Sequence, residues 1–411
     1  MRRLLNDFRQ VVTLECLYRG SISELAWGEH GRTAAPSMRE RRTKRSFIEM
    51  MKSTMFRIVL GVLVIVGISM TVSKVRAQSM RLDPALRARA LARAEELPRL
   101  RSLLISIDGR LVEEQYFNGA RPTHAANLKS ASKSLLSALV GIALDRGYLK
   151  SLQDPIGKYF PEHLSAPGDP KKKTITIEDL LTMRSGLEGT SNVNYGRWVQ
   201  SSNWVRHVLT RPLIDEPGER MIYSTGNSHL LSALLTKATK MSTFEFARRY
   251  LADPLGVPLP PWVRDPQGIY LGGNEMHWAP RGMLAFGELY LNRGRLGGKQ
   301  VVSEAWINES LKPRTRSRWS GREYGYGWWI DSFGGHATYY AWGHGGQFIF
   351  VVPGLRLVVA ATSLPAPGDG RREHQRAIYN LLEQEIVPAV DNASSREQAT
   401  AAKVSFMDIL N

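Results

Sequence analysis

The chain of 411 residues is 43% hydrophobic, with 36 Gly, 21 Pro and a formal net charge of +17. That length exceeds what one small core fills, and the composition excludes fibrous and globally disordered classes. Residues 1–77 hold 14 Lys and Arg against 6 Asp and Glu, and no later basic run is longer than Lys171–Lys173. The charge therefore reads as a targeting segment plus solvated surface, with no nucleic-acid partner.

In chain order, residues 56–73 (FRIVLGVLVIVGISMTVS) are strongly apolar, with Lys52 and Arg57 ahead of the core and Val75-Arg76-Ala77 behind it. This predicts a signal peptide cut before Gln78 or, if uncleaved, a membrane anchor. Residues 1–77 are accordingly read as a leader, and the protein as exported, either periplasmic or anchored facing the periplasm. Met50, Met51 and Met55 all stand where such a peptide would begin, so residues 1–49 are open to being an artefact of start-site choice. The only cysteine, Cys16, falls in the leader. The exported part therefore has no disulfide, thiol nucleophile or thiolate metal site.

Pro84 to Leu97 has helical spacing, and LRSLLISIDGRLVEEQYF follows it with Asp108-Gly109 between two apolar runs, a strong hairpin signal. Residues 130–310 are mainly helical segments, among them SKSLLSALVGIALDRG, NSHLLSALLTKAT and MLAFGELYLNRG. HATYYAWG, GQFIFVVPG and LRLVVAATS are β-rich runs separated by Gly or Pro turns, and a helix is expected from about Arg371 to Ile386. The fold class is α/β (α+β): an antiparallel sheet flanked by helices, built from residues 78–129 plus 311–390, with a helical domain of 130–310 inserted. The polar tail 391–411 is expected to be disordered.

The chain contains no G-x-S-x-G, H-E-x-x-H, G-x-x-x-x-G-K-[ST] or G-x-G-x-x-G. It contains one S-x-x-K, Ser130-Ala131-Ser132-Lys133, at the start of an apolar helix. Residues three apart share a helix face, so Lys133 can reach the Ser130 hydroxyl. At a helix N-terminus a partly buried lysine would have a depressed pKa and could take the serine proton. Taken alone, the pair fits a helix-capping serine followed by a surface lysine better than a catalytic pair.

Two further elements change the balance. Tyr223-Ser224-Thr225 lies on a turn leading into a helix, where a tyrosine near the lysine could pass the proton to a leaving group. Trp342-Gly343-His344-Gly345-Gly346-Gln347 precedes an apolar strand, and its glycines would let a strand edge lie against substrate. The backbone N–H groups of Ser130 and Gln347 could then form an oxyanion hole worth roughly 3 kcal/mol per donor. Tyr223 could instead be a core residue, and the glycine-rich stretch a simple hairpin turn.

In order, spacing and context these motifs resemble the serine β-lactamase superfamily, class C branch, which includes penicillin-binding proteins, family VIII carboxylesterases and 6-aminohexanoate-dimer hydrolases. The resemblance extends over about residues 95–390, through DPIGKYFPEH, TITIEDLLTMRSGLE, RPLIDEPGERMIYSTGNSHLLSALL and GHGGQFIFVVPGL. The last is most similar to the nylon-oligomer hydrolase branch. The resemblance implies a serine β-lactamase-like fold, with Ser130 as acylated nucleophile, Lys133 as base, Tyr223 as proton relay and His344 in the third motif. Gly345 and Gly346, as part of the strand edge that would lie against substrate, Thr225, and Trp342 by its adjacency to His344, are read as substrate-binding.

Two departures bear on substrate. Thr225 stands where β-lactamases tend to have asparagine, and His344 stands where they have lysine, exchanging a permanent cation for a group largely neutral at pH 7. Recognition of a substrate carboxylate should weaken. The expected function is a serine hydrolase acting on small-molecule esters or linear amides through an acyl-enzyme on Ser130. The alternatives are a β-lactamase or D,D-peptidase, or a non-catalytic cell-wall or β-lactam binding module. No cofactor is implied, and His163, His207, His229, His277, His336 and His374 lack ligand spacing for a metal.

Overall fold

Asp108 and Gly109 have φ of 54° and 77°, the pair of positive angles that a two-residue type I′ turn demands. They join strand β1 (Leu100–Ile107) to β2 (Arg110–Tyr116). Helix α1 (Pro84–Glu95) is the first element among the described residues, its N-terminus fixed by the Asp83 carboxylate accepting from the Ala85 and Leu86 amides at 3.0 and 3.2 Å. The computed structural model describes residues 82–164, 169–366 and 368–393. The leader with its apolar run, and residues 394–411, lie outside the described residues.

Six more strands come from the C-terminal part: β3 (Thr315–Arg316), β4 (Glu323–Tyr324), β5 (Trp329–Phe333), β6 (His336–Gly343), β7 (Gln347–Val352) and β8 (Leu357–Ser363). All eight form one antiparallel sheet in the order β2-β1-β8-β7-β6-β5-β4-β3. The sheet flanked by helices is the expected architecture.

Both faces of β7 and β8 are covered, so each reads as a continuous apolar run. Because side chains alternate along a strand, the run divides between two cores. Phe348, Phe350, Val359 and Ala361 pack with α1 and the C-terminal helix α5 (Arg371–Asn380). Ile349, Val351, Val358 and Ala360 pack with the helical residues of the opposite face. That face includes α2 (Ser132–Asp145), in which every residue from Ser132 to Ala143 is buried, and α3 (Thr225–Thr239). A helix buried on all sides belongs at the centre of a fold.

Two placements differ from the sequence reading. Helix α4 (Pro280–Leu291), expected among the inserted helices, lies against β1, β7 and β8. Gly287 permits this: a Cβ there would stand 2.5 Å from Val358 Cγ1 and 2.8 Å from Ile349 Cγ2. Gly287→Val should therefore overpack the contact and cost roughly 1–3 kcal/mol, read as a lowered Tm. Second, the tail expected to be disordered from Asp391 is helical over residues 391–393, continuing the C-terminal helix.

Candidate active site

Ser130 sits in a 3₁₀ turn (Lys129–Ala131) that feeds into α2, rather than in the α-helix itself. The turn is tied from outside. Leu128 N donates to Met276 O at 2.8 Å, Lys129 N to Asn127 Oδ1 at 3.0 Å, and Lys129 Nζ pairs with Glu275 at 2.7 Å. Ala131 is the N-cap of α2, and no side chain caps that end. The Ser130 hydroxyl faces Lys133 instead, whose Nζ donates to Oγ at 3.0 Å.

Lys133 is buried, and its other acceptors are the Gly273 carbonyl at 2.8 Å and Thr225 Oγ1 at 3.3 Å. Among the described residues no carboxylate neutralises it. Burial alone brings its pKa down to about 7, since the ammonium loses hydration that no counter-ion replaces. The ammonium lies 5.0 Å from the centroid of the Tyr223 ring. Burial pushes the Tyr223 phenol up to about 12, with a hydrogen bond to the Ser130 hydroxyl pulling the other way. At neutral pH, then, the phenol keeps its proton while the lysine is poised to accept one.

Thr225 opens α3, and its hydroxyl is shared: Ser191 Oγ lies 3.0 Å from Oγ1 and accepts the Thr225 amide at 2.9 Å. Ser191 was not singled out in the sequence, where no motif marks it.

The third motif is the turn between β6 and β7. Gly343 ends β6 and pairs with Gln347, which opens β7. A Cβ on Gly343 would stand 2.0 Å from Leu128 O, so the absence of a side chain seats the strand end against the turn carrying Ser130. The Gln347 side chain faces away into the sheet, its Nε2 donating to Ser363 O at 2.7 Å and its Oε1 accepting Ser363 N at 3.1 Å. Beneath Gly346 lies His374, whose Nε2 meets Ser363 Oγ at 2.8 Å. Burial, aided by Arg99, holds this imidazole down to about 4, so it is a neutral structural partner at pH 7. Gly345 packs on Pro365.

His344 is exposed at the tip of the turn. Partial enclosure, then the cations Arg371, Lys129 and Arg99, hold its imidazole below the usual range. Trp342 reaches the site through aromatic contacts: its ring lies 5.9 Å from Trp329, which stacks on Tyr223 at 5.9 Å. Trp198 and Trp328 are fully buried in the core. Beyond the third motif, a cavity of about 350 Å³ is lined by Arg101, Arg121, His124, Asn127, His277 and Ser363 among others.

The profile of the β-lactamase family matches residues 101–382, and the chain belongs to that family. Among solved structures, a protein assigned as a 6-aminohexanoate-dimer hydrolase from Bacillus anthracis is similar with a TM-score of 0.61 and 18% identity, over 73% of this chain and 80% of that one. EstCE1, a hydrolase with promiscuous acyltransferase activity, gives 0.60 and 18%, over 76% and 99%. A penicillin-binding protein homologue from Caulobacter crescentus gives 0.59 and 16%, over 73% and 98%. At these identities the likeness is one of fold. Protein flp of Staphylococcus aureus (strain COL) is 28% identical over 141 residues, 33% of this chain and 28% of that protein. The matched stretch thus spans under a third of that relative.

Proposed function

We propose that the protein hydrolyses small esters or linear amides through an acyl-enzyme on Ser130. The observation that carries this reading is the 3.0 Å contact from Lys133 Nζ to Ser130 Oγ, made by a buried lysine whose pKa is brought down to about 7. Ser130 Oγ attacks the substrate carbonyl, its proton passing to neutral Lys133 as the Oγ–C bond forms. Tyr223, protonated at neutral pH, donates to the departing alcohol or amine and is reprotonated from Lys133. Water then enters, and the same groups in reverse roles release the acid. The amides of Ser130 and Gln347 are the donors assigned to the oxyanion.

Thr225 supports an ester or linear amide over a β-lactam. Its hydroxyl is engaged by Lys133 and Ser191, so it cannot offer the amide that asparagine would present to an acyl-amide substrate. Trp342 can border the acyl group with an indole N–H that has no partner among the described residues. For carboxylate recognition the structure qualifies the sequence expectation. Burial and then the positive charges of Arg371, Lys129 and Arg99 hold His344 towards its neutral form, and an anionic end of a substrate would still meet that positive potential.

A fluorophosphonate probe should label Ser130, as read by peptide mass mapping; labelling undiminished in Ser130→Ala rules the nucleophile out. Turnover of p-nitrophenyl butyrate, 6-aminohexanoate dimer and a chromogenic cephalosporin separates the substrate classes. Labelling without turnover of any would favour a binding module. His344→Lys is expected to keep ester hydrolysis and lower KM for carboxylate-bearing esters, and a folded variant without esterase activity contradicts that role.

A further inference from the structure

Helix α3 touches the catalytic lysine's surroundings twice, one turn apart. Thr225 contacts Lys133 directly, and His229, four residues on, contacts the segment that holds Lys133 from the other side. His229 Nδ1 accepts the Gly272 amide at 3.4 Å, and the next residue, Gly273, supplies the carbonyl that receives Lys133 Nζ at 2.8 Å. With Nδ1 accepting, the imidazole proton is on Nε2, which donates to Asp265 Oδ2 at 3.0 Å. Both side chains are 0% exposed, and the imidazole is edged by Trp198 and Trp204 at 5.7 and 5.5 Å.

Asp265 in turn braces its own loop, Oδ1 accepting from Gln267 N and Ile269 N at 2.9 and 2.8 Å. The loop then closes flush on α3 and Lys133. A Cβ on Gly272 would stand 2.1 Å from Ser228 O, and one on Gly273 2.7 Å from Lys133 Cγ.

A buried carboxylate paired with a buried imidazole is a costly filling for a core that apolar side chains could occupy. What it provides here is a fixed position for one carbonyl. We propose that Asp265 and His229 are a positioning pair that locks the Gly272–Gly273 segment and so holds Lys133 against Ser130. The proposal rests on Lys133 acting as the base.

The groups facing Lys133 are the Tyr223 ring, the Ser130 and Thr225 hydroxyls and the Gly273 carbonyl. The nearby charges Lys129 and Glu275 pair with each other at 2.7 Å. When the segment loosens, water reaches the ammonium and restores the hydration that burial removed. The acid limb of the acylation profile then moves to higher pH.

The test is the rate constant for fluorophosphonate labelling of Ser130 between pH 5 and 9 in the full chain, for wild type, Asp265→Asn, His229→Ala and His229→Asn. The rate is read per labelled site, so partial misfolding lowers the amplitude and leaves the constant unaffected. Asp265→Asn and His229→Ala should be at least about tenfold slower at pH 7, with the acid limb displaced upward. His229→Asn, whose Oδ1 replaces Nδ1 as acceptor for Gly272, should recover part of that loss. Wild-type rates and limb in the variants overturn the proposal, as does a His229→Asn no faster than His229→Ala. A wild type unlabelled at Ser130 overturns instead the hydrolase reading beneath it.

Discussion

Lys133→Met is expected to keep the fold, lose about 10²–10⁴-fold of the acylation rate, and gain stability at pH 6 relative to wild type. The first effect follows from removing the group proposed to take the Ser130 proton. Tyr223 cannot substitute at neutral pH, because burial holds its phenol up to about 12. The second follows from linkage. The Lys133 pKa is about 7 in the folded protein against an ordinary 10.5. Between those values the unfolded chain binds the extra proton, so stability rises with pH through that window.

Below about pH 7 both states are protonated, and the full cost of a buried ammonium remains. Methionine removes that cost at low pH and brings progressively less benefit as pH approaches 10.5. For wild type, the same titration predicts that kcat/KM falls with decreasing pH on an acid limb near 7. Parallel melting and kinetic profiles check both statements; a variant equally destabilised at pH 6 and pH 9 would contradict the assignment of Lys133 as an uncompensated buried base.

Gly343→Ala should be nearly as damaging, for a reason that involves no chemistry at residue 343. The added methyl would stand 2.0 Å from Leu128 O, a backbone atom that cannot rotate aside. Either the end of β6 or the turn bearing Ser130 must move. A displacement of about 1 Å between nucleophile and oxyanion donors costs on the order of 100-fold in rate. The expected result is at least that loss in kcat, with a Tm falling by only a few degrees. If activity survived intact, the strand end would not be what seats Ser130.

The contact between Ser130 and Lys133 was legible because both belong to one short segment, where helical geometry alone dictates which side chains meet. The hairpin at Asp108-Gly109 and the β-rich runs that became β6, β7 and β8 were legible for the same local reason. The partner of α4 was not: its periodicity shows which face is apolar, while its docking on the sheet depends on the absent Cβ of Gly287. Ser191, Ser363 and His374 reach the site from elements distant in sequence and carry no spacing signal. Asp265 and His229 were equally hidden, His229 reading as one of several scattered histidines.

Among the described residues, the sheet order places the last strand in the interior. β8 (Leu357–Ser363) is flanked by β1 on one side and β7 on the other, joining partners some 250 residues apart in sequence. A ribosome must therefore deliver the chain through Ser363 before the β1–β2 hairpin finds its neighbour, so this pairing waits on the synthesis of β8. A stop codon ahead of Leu357 would not trim an edge; it would leave β2-β1 with no sheet to join.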